Sequence, residues 1–337
     1  MDGTGIASTA RPVVVTGAGG FIGRHLVPAL AEAGYRVRAV SRAVPAGQRG
    51  HDRVRQLPHP GTGPGARWQP ILAGAGAVVH LAGLAHMPID DRSTRHRLRE
   101  VNVLATAALA AAAAAAGVGD FVFMSSIKAV ADSSTAPLAE DAAAAPEDCY
   151  GLAKRLAERR LWRLQADAPG MRIIVLRPPL VYGPGVGANF AALARLATSG
   201  LPLPLGAVRN RRSLVYVGNL VAAVLRCLAR SDVASGTFHV CDDAAVATPE
   251  LVRAIAQAYG ARARLFPAPP SLVEGAARLL GREAQAARLL GSLEVDGSRF
   301  RSAFDWRPPF TLAQGLAAMG SSDASRRAAP DDPKPAC

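Results

Sequence analysis

The stretch Val13-Val14-Val15-Thr16-Gly17-Ala18-Gly19-Gly20-Phe21-Ile22-Gly23 decides the fold. Its first four residues are an apolar run without polar alternation, the pattern of a strand buried on both faces. Glycines follow at once, and residues 21–33 then carry helical spacing. In such a strand–turn–helix unit Gly17 permits the tight turn and Gly20 lets backbone approach a pyrophosphate. Gly23 lets the helix pack close to the strand, while the helix start at Phe21 and Ile22 faces the anion. A glycine pattern alone is a weak signal. Its place directly after the first strand and at the opening of the first helix is the context that a dinucleotide-binding turn requires.

Further along the chain, strand-like runs at 36–41, 77–81, 120–125 and 171–177 alternate with helical stretches at 92–116 and 149–164. Short Val-rich strands between helices predict an α/β fold, a doubly wound parallel sheet covered on both faces. Residues 45–74 are rich in Gly, Pro and Arg, and no third strand is placed there. After 177 the rhythm breaks into a Pro/Gly loop at 178–187, a helix at 190–199, a Pro-Leu repeat at 201–206 and a strand at 211–217. A helix at 219–230 and a strand at 236–241 could return to the main sheet, and short helices dominate from 248. The expected organisation is a nucleotide lobe at 1–178, with 212–245 returning to it. A smaller, mostly helical substrate lobe is expected at 179–211 and 246–320, and a disordered polar tail at 321–337.

Composition removes several function classes. The 337 residues carry 39 Lys+Arg against 26 Asp+Glu, a formal charge of +13, yet only Lys128, Lys154 and Lys334 are lysines. With Ala, Gly and Pro also abundant, this reads as nucleotide bias in the coding DNA, so the charge argues only weakly for a nucleic-acid partner. The scattered Cys149, Cys227, Cys241 and Cys337 have no CxxC spacing and suit a reduced cytoplasm. Seven dispersed histidines offer no paired metal spacing, so no metal is expected. The start of the chain shows no basic region followed by an apolar core, so no secretory signal is expected. The alanine-rich run 103–118 is shorter than a bilayer requires and reads as a buried helix, with no membrane insertion.

The second strand bears on the cofactor. An NAD-binding unit places a carboxylate about 20 residues after the glycines to accept the ribose hydroxyls. Here the strand ends at Ser41-Arg42, and an arginine suits a 2′-phosphate. NADP(H) is favoured, with NAD(H) the alternative in a chain this rich in arginine.

Tyr150-Gly151-Leu152-Ala153-Lys154 sets a phenol and an ammonium four residues apart on one helical face. The ammonium, helped by an oxidised nicotinamide, would favour the phenolate of a tyrosine whose ordinary pKa is about 10. Tyr150 could then exchange a proton with a sugar hydroxyl or carbonyl. One element upstream, Phe121-Val122-Phe123-Met124 runs into Ser125-Ser126 at the edge where open α/β sheets bind ligands, and Ser126 would hold the reacting oxygen.

With these pieces in order, the chain resembles the extended short-chain dehydrogenase/reductases that act on nucleotide sugars. The matches are 16–23, His80-Leu81-Ala82-Gly83, Val101-Asn102-Val103, Ser125-Ser126, Tyr150 to Lys154, Arg177-Pro178, 181–185 and 212–220. The resemblance implies a Rossmann-type lobe and a nicotinamide cofactor touched by Leu81, Ala82 and Asn102. It also implies hydride transfer at a sugar carbon, and a homodimer built from two helices per subunit. Family dehydratases carry an Asp-Glu pair after the hydroxyl residue; Ile127-Lys128 stands there, so dehydration is not expected. Epimerases usually carry the acidic ribose partner that Ser41-Arg42 lacks. Ser125-Ser126-Ile127-Lys128, 177–186 and 201–206 resemble a subgroup of bacterial polysaccharide-pathway enzymes. These reduce the 4-keto group of a UDP-4-keto-6-deoxy-N-acetylhexosamine. The resemblance thus implies a 4-keto reductase, with a UDP-hexose 4-epimerase as the alternative. A non-enzymatic NADP sensor is disfavoured because Ser126, Tyr150 and Lys154 are all present.

The same resemblance assigns the UDP-sugar end. Asn189 matches an amide contact to the diphosphate, though a helix N-cap is the competing role. Arg212 matches the diphosphate arginine, and Leu203 lies in the segment expected along the uracil. His80 is expected to be a structural strand-end residue and His86 a loop residue near the pocket. Two family features are missing: an Asp ending the third strand near 57–61, and the acidic residue before the helix that opens at Asn219-Leu220.

Overall fold

The computed structural model describes residues 11–42, 51–63, 66–85 and 91–328. The chain begins with strand β1 (Val13–Thr16), helix α1 (Phe21–Glu32), β2 (Val37–Ser41), β3 (Val54–Pro58), α2 (Gln69–Leu72) and β4 (Ala77–His80). Helix α3 (Arg92–Leu98) passes through a π-helical stretch (Arg99–Leu104) into α4 (Ala105–Ala115), and β5 (Asp120–Met124) follows. A 3-10 turn (Ile127–Ala129) precedes α5 (Cys149–Asp167), β6 (Arg172–Arg177), β7 (Leu180–Tyr182), α6 (Ala188–Thr198), β8 (Pro202–Leu203) and β9 (Leu214–Tyr216). The remainder is α7 (Val217–Ala229), β10 (Gly236–His239), α8 (Thr248–Ala258), β11 (Arg264–Leu265), α9 (Pro270–Leu279), α10 (Glu283–Leu290), α11 (Ser298–Phe304) and α12 (Leu312–Ala328).

Seven strands form one parallel sheet in the order β10-β6-β5-β4-β1-β2-β3. The chain reverses direction between β1 and β4, the switch point at which ligands bind open α/β sheets. Thr16 stands in register with both Val40 and His80, and Met124 with Leu176. The glycine turn, the loop after His80 and the Ser125-Ser126 pair therefore leave the sheet on one edge.

Strand side chains alternate between two dry faces. Leu26, Leu30, Leu220, Val224, Phe300 and Phe304 pack one face, from α1, α7 and α11. Leu72, Leu109, Ala113, Ala157 and Leu161 pack the other, from α2, α4 and α5. A separate core of Tyr182, Phe190, Leu205, Leu251, Ile255 and Leu316 builds the second lobe. The helix Arg92–Ala115 is long and apolar enough by composition to cross a membrane; here Leu109, Ala110 and Ala113 are fully buried beneath the sheet.

Several expectations need correction. A third strand exists inside 45–74: β3 is an edge strand with half-exposed residues and a terminal Pro58, so it lacks the apolar run that marks its neighbours. The loop at 178–187 contains β7, paired with β9. Phe300, Phe304 and Trp306 join the core of the main sheet, so this part of 246–320 packs with the nucleotide lobe. Helix α12 carries residues 321–328 of the expected disordered tail, and the rest of that tail lies outside the described residues.

Candidate active site

The glycine turn is built so that side chains cannot enter it. Gly17 has φ +72°, and a Cβ there would lie 2.7 Å from the Ala82 nitrogen. A Cβ on Gly23 would lie 2.3 Å from the Gly17 carbonyl oxygen. Gly20 begins α1 and donates its N–H to the Gly17 carbonyl at 2.9 Å. No side chain caps this helix start and no carboxylate stands in its first turn, so the amides at Phe21 and Ile22 present a positive end. The Ile22 side chain packs against the core, and Phe21 meets His25 edge-on.

The loop after β4 lies over this turn. Leu81 donates to the Thr16 carbonyl at 3.1 Å, and Ala82 donates to Thr16 Oγ1 at 3.4 Å. Asn102 is buried and grips Leu84 in both directions, accepting its N–H at 2.7 Å and donating to its carbonyl at 2.9 Å. Its amide thus orders the loop that carries Leu81 and Ala82. His80 is buried between Thr16 and Thr106, at 2.6 and 2.9 Å. Because Thr106 spends its proton on the Asn102 carbonyl, His80 Nε2 donates and Nδ1 accepts. Burial, reinforced by the Lys154 charge, pulls its pKa down to about 3, so the ring is neutral and structural. His86 lies outside the described residues.

At the neighbouring edge Ala18 donates to the Val40 carbonyl at 3.3 Å, which ties the glycine turn to the end of β2. Ser41 is buried and accepts the His59 N–H at 3.1 Å, while Arg42 is exposed. Burial lowers the His59 pKa, and the Arg42 charge adds to that. The end of β2 therefore presents a guanidinium beside an imidazole whose pKa is lowered, with no carboxylate at Ser41 or Arg42.

Helix α5, which carries Tyr150 and Lys154, is positioned from its first turn. Asp148 caps α5 by accepting the Gly151 N–H at 2.7 Å, and Lys128 forms ion pairs with Asp148 and Asp132. A Cβ on Gly151 would lie 2.2 Å from the Lys128 carbonyl oxygen, so the turn after Ser126 presses directly on the helix. Across this contact the Ser126 side chain acts on the Tyr150 phenol and favours its ionised form. Lys154 is buried, donates to the Met124 carbonyl at 2.8 Å, and lies 5.9 Å from the centre of the Tyr150 ring. Ser126, Tyr150 and Lys154 are thus brought together at one end of α5.

Burial shifts the ionisation of both Tyr150 and Lys154. Burial pushes the Tyr150 phenol up to about 12, the Asp148 charge adds to it, and the Ser126 hydrogen bond opposes it. Burial pulls Lys154 down to about 8 against the charge of Glu158. With its pKa above the ordinary value, Tyr150 is a protonated acid at neutral pH. The adjacent Ser125 has another role, donating at 2.5 Å to the buried Glu158.

In the second lobe, Arg212 is half-buried and donates to the Gly291 carbonyl at 2.9 Å. Burial and the Arg288 charge both lower its pKa, and Arg288 also acts on Asp148. The Arg288 charge on α10 thus acts on both Arg212 and Asp148, which sequence reading missed; among so many arginines nothing local marks it. Arg211 is exposed and paired with Glu294, and Asn210 is spent on Thr248, Leu289 and Gly291. Leu203, expected along the base, is instead buried in the lobe's core, with its carbonyl taken by Phe266. Asn189 lies in the first turn of α6, whose N-cap is Gly187, so the capping role does not apply. The carboxylate missing before α7 comes from Asp242, which accepts from Tyr216 N, Asn219 Nδ2 and Tyr182 Oη. Among the described residues, no group of three or more His, Cys, Asp or Glu could hold a metal ion.

Comparison with known proteins agrees with this geometry. Residues 13–241 match the model of the NAD dependent epimerase/dehydratase family. A UDP-glucose 4-epimerase of Vibrio cholerae is 36% identical over 319 residues, covering 93% of this chain and 95% of the relative. A GDP-6-deoxy-D-mannose reductase of Pseudomonas aeruginosa is 29% identical and covers 93% and 97%. The structure of MoeE5 in complex with UDP-glucuronic acid and NAD superposes with a TM-score of 0.73 at 27% identity, covering 94% of this chain and 100% of that one.

Proposed function

This chain belongs to the NAD-dependent epimerase/dehydratase family, and on that premise we propose that it is a 4-keto reductase of a UDP-4-keto-6-deoxy-N-acetylhexosamine. The observation that carries the reading is the end of β2, where the exposed Arg42 follows Ser41 with no carboxylate at either position, together with Lys128 where a dehydrating carboxylate would stand. Tyr150 is the group placed to give the proton.

The cradle suits a nicotinamide dinucleotide, since side chains at Gly17 or Gly23 would collide with backbone and the start of α1 is left open to a pyrophosphate. When bound, the cofactor supplies hydride exchange with the sugar carbon. Ser126 holds the C4 oxygen, and Tyr150 delivers its phenolic proton to that oxygen as it gains charge. Lys154 holds its ammonium beneath Tyr150 and stabilises the phenolate left behind. Arg42 at the end of β2 supports NADP(H) over NAD(H) by pairing with a 2′-phosphate. Arg212 and Arg288 meet the diphosphate of the UDP-sugar. A homodimer is part of this reading, with Leu152 and Leu156 exposed one turn apart on α5 as its apolar seam.

A second reading, a UDP-hexose 4-epimerase with bound NAD, is favoured by the Vibrio cholerae relative. The same three groups would run the transfer backwards and then forwards on the other sugar face. One experiment separates the two. The enzyme is incubated with UDP-4-keto-6-deoxy-GlcNAc and NADPH, and in parallel with UDP-GlcNAc and NAD⁺. Consumption of NADPH with formation of the 4-hydroxy sugar supports the reductase. Formation of UDP-GalNAc without net cofactor change supports the epimerase and overturns the first reading.

A further inference from the structure

Helix α9 carries a leucine stripe on its solvent side. Leu272, Leu279 and Leu280 are 66%, 90% and 72% exposed, and Ala276 between them is exposed as well. At 100° per residue, positions 272, 276 and 279 fall within an arc of about 60°, and the exposed Leu280 just past the helix stands at its edge, next to Val273, while Ala277 faces the body. Ala277 is the one residue of α9 that is buried and Ala286 the one of α10, with the half-buried Leu290 packed against the lobe's core. The far end of the pair is held firmly. Asn210 donates to the Leu289 and Gly291 carbonyls at 3.0 and 2.9 Å, and Thr248 donates to Leu289 at 2.7 Å.

The charge around this stripe has one prevailing sign. Arg262, Arg264, Arg278 and Arg282 are all exposed. The acidic residues between 262 and 290 are Glu274 and Glu283, and Glu283 lies 3.4 Å from Arg278. Three protruding leucines cost free energy in water, and a rim of guanidinium groups attracts phosphates. An amphipathic helix of this kind, apolar on one side and arginine-bearing on the flanks, lies in the headgroup plane of a membrane. We propose that the α9–α10 hairpin docks the protein on an anionic phospholipid surface, lying on the bilayer without crossing it. Charge complementarity selects this occupant over a second copy of the chain. A two-fold pairing through the same stripe would set Arg278 and Arg282 near their own counterparts. The leucines lie outside the Ser126, Tyr150 and Lys154 constellation, so docking is separable from chemistry.

Flotation of the full chain with phosphatidylcholine vesicles, with and without phosphatidylglycerol as one-third of the lipid, tests this. The chain should float with the anionic vesicles and stay behind with the neutral ones. The triple variant Leu272→Ser, Leu279→Ser, Leu280→Ser should lose binding by about tenfold or more, with soluble turnover unchanged. The pair Arg278→Gln, Arg282→Gln should weaken binding and reduce its salt sensitivity. Absence of flotation overturns the proposal. So does equal binding by the triple variant, which would assign the attraction to overall charge alone. A parent oligomer that the leucine variant dissociates would give the stripe to a second copy and overturns it as well.

Discussion

Arg177 closes a fork on Glu158, its Nε donating to one carboxylate oxygen at 2.9 Å and an Nη to the other at 2.6 Å, with both side chains buried. The pair joins the end of β6 to the middle of α5, one turn beyond Lys154. Ser125 adds its hydroxyl to the same carboxylate, which leaves the next residue, Ser126, to face Tyr150. Two adjacent hydroxyls are thereby divided between holding the helix and meeting the reacting oxygen.

Removing one partner of this fork leaves an uncompensated buried charge. Glu158→Ala should lower stability by about 3–5 kcal/mol in urea unfolding. A loss near that of an ordinary surface substitution would show that Arg177 finds another acceptor.

Tyr150→Phe keeps the ring and removes the proton. Turnover should fall by about 10²–10⁴-fold with cofactor affinity unchanged in fluorescence titration. Retained turnover would remove Tyr150 from the proton path.

Lys154 is pulled down to about 8 by burial, so its ammonium is present at neutral pH and lost on the alkaline side. Because the Tyr150 phenol stays protonated to about 12, the reductive rate should fall above pH 8 through loss of the Lys154 charge. A pH profile of kcat checks this, and Lys154→Met should abolish that limb together with most of the activity.

Arg42→Ala should raise the Kd for NADPH by about 10–100-fold, the worth of one charge-assisted pair, and leave NADH nearly unaffected. Equal effects on both cofactors would remove the 2′-phosphate assignment.

Folded His80 has its pKa depressed from 6.5 to about 3 by burial. Between these values the unfolded chain binds more protons, so stability rises with pH across that window and is lost on acidification. Urea unfolding at pH 7 and pH 5 should show a loss in the parent exceeding that in His80→Asn by about 2 kcal/mol.

Much of the sheet was legible because buried parallel strands are short apolar runs and the glycines between strand and helix obey steric rules. The edge strand β3 was not, since half-exposed residues need no such pattern. Tyr150 and Lys154 were legible as neighbours on one helical face. Glu158, one turn further on, could have been read from the same spacing, but its partner Arg177 comes from another strand. The burial of Leu203 in the second lobe was not legible, because apolar residues serve a base and a core equally well.

The sequence by itself determined the glycine turn, the helix carrying Tyr150 and Lys154, and the absence of a carboxylate after the second strand. Each depends on residues within a few positions of one another, where sterics and helical geometry act locally. The tertiary structure alone decided the upward shift of the Tyr150 phenol, the action of the Arg288 charge on Arg212, and the supply of Asp242 to the start of α7. Those depend on burial and on charges brought together from distant segments, and neither quantity exists until the chain has folded.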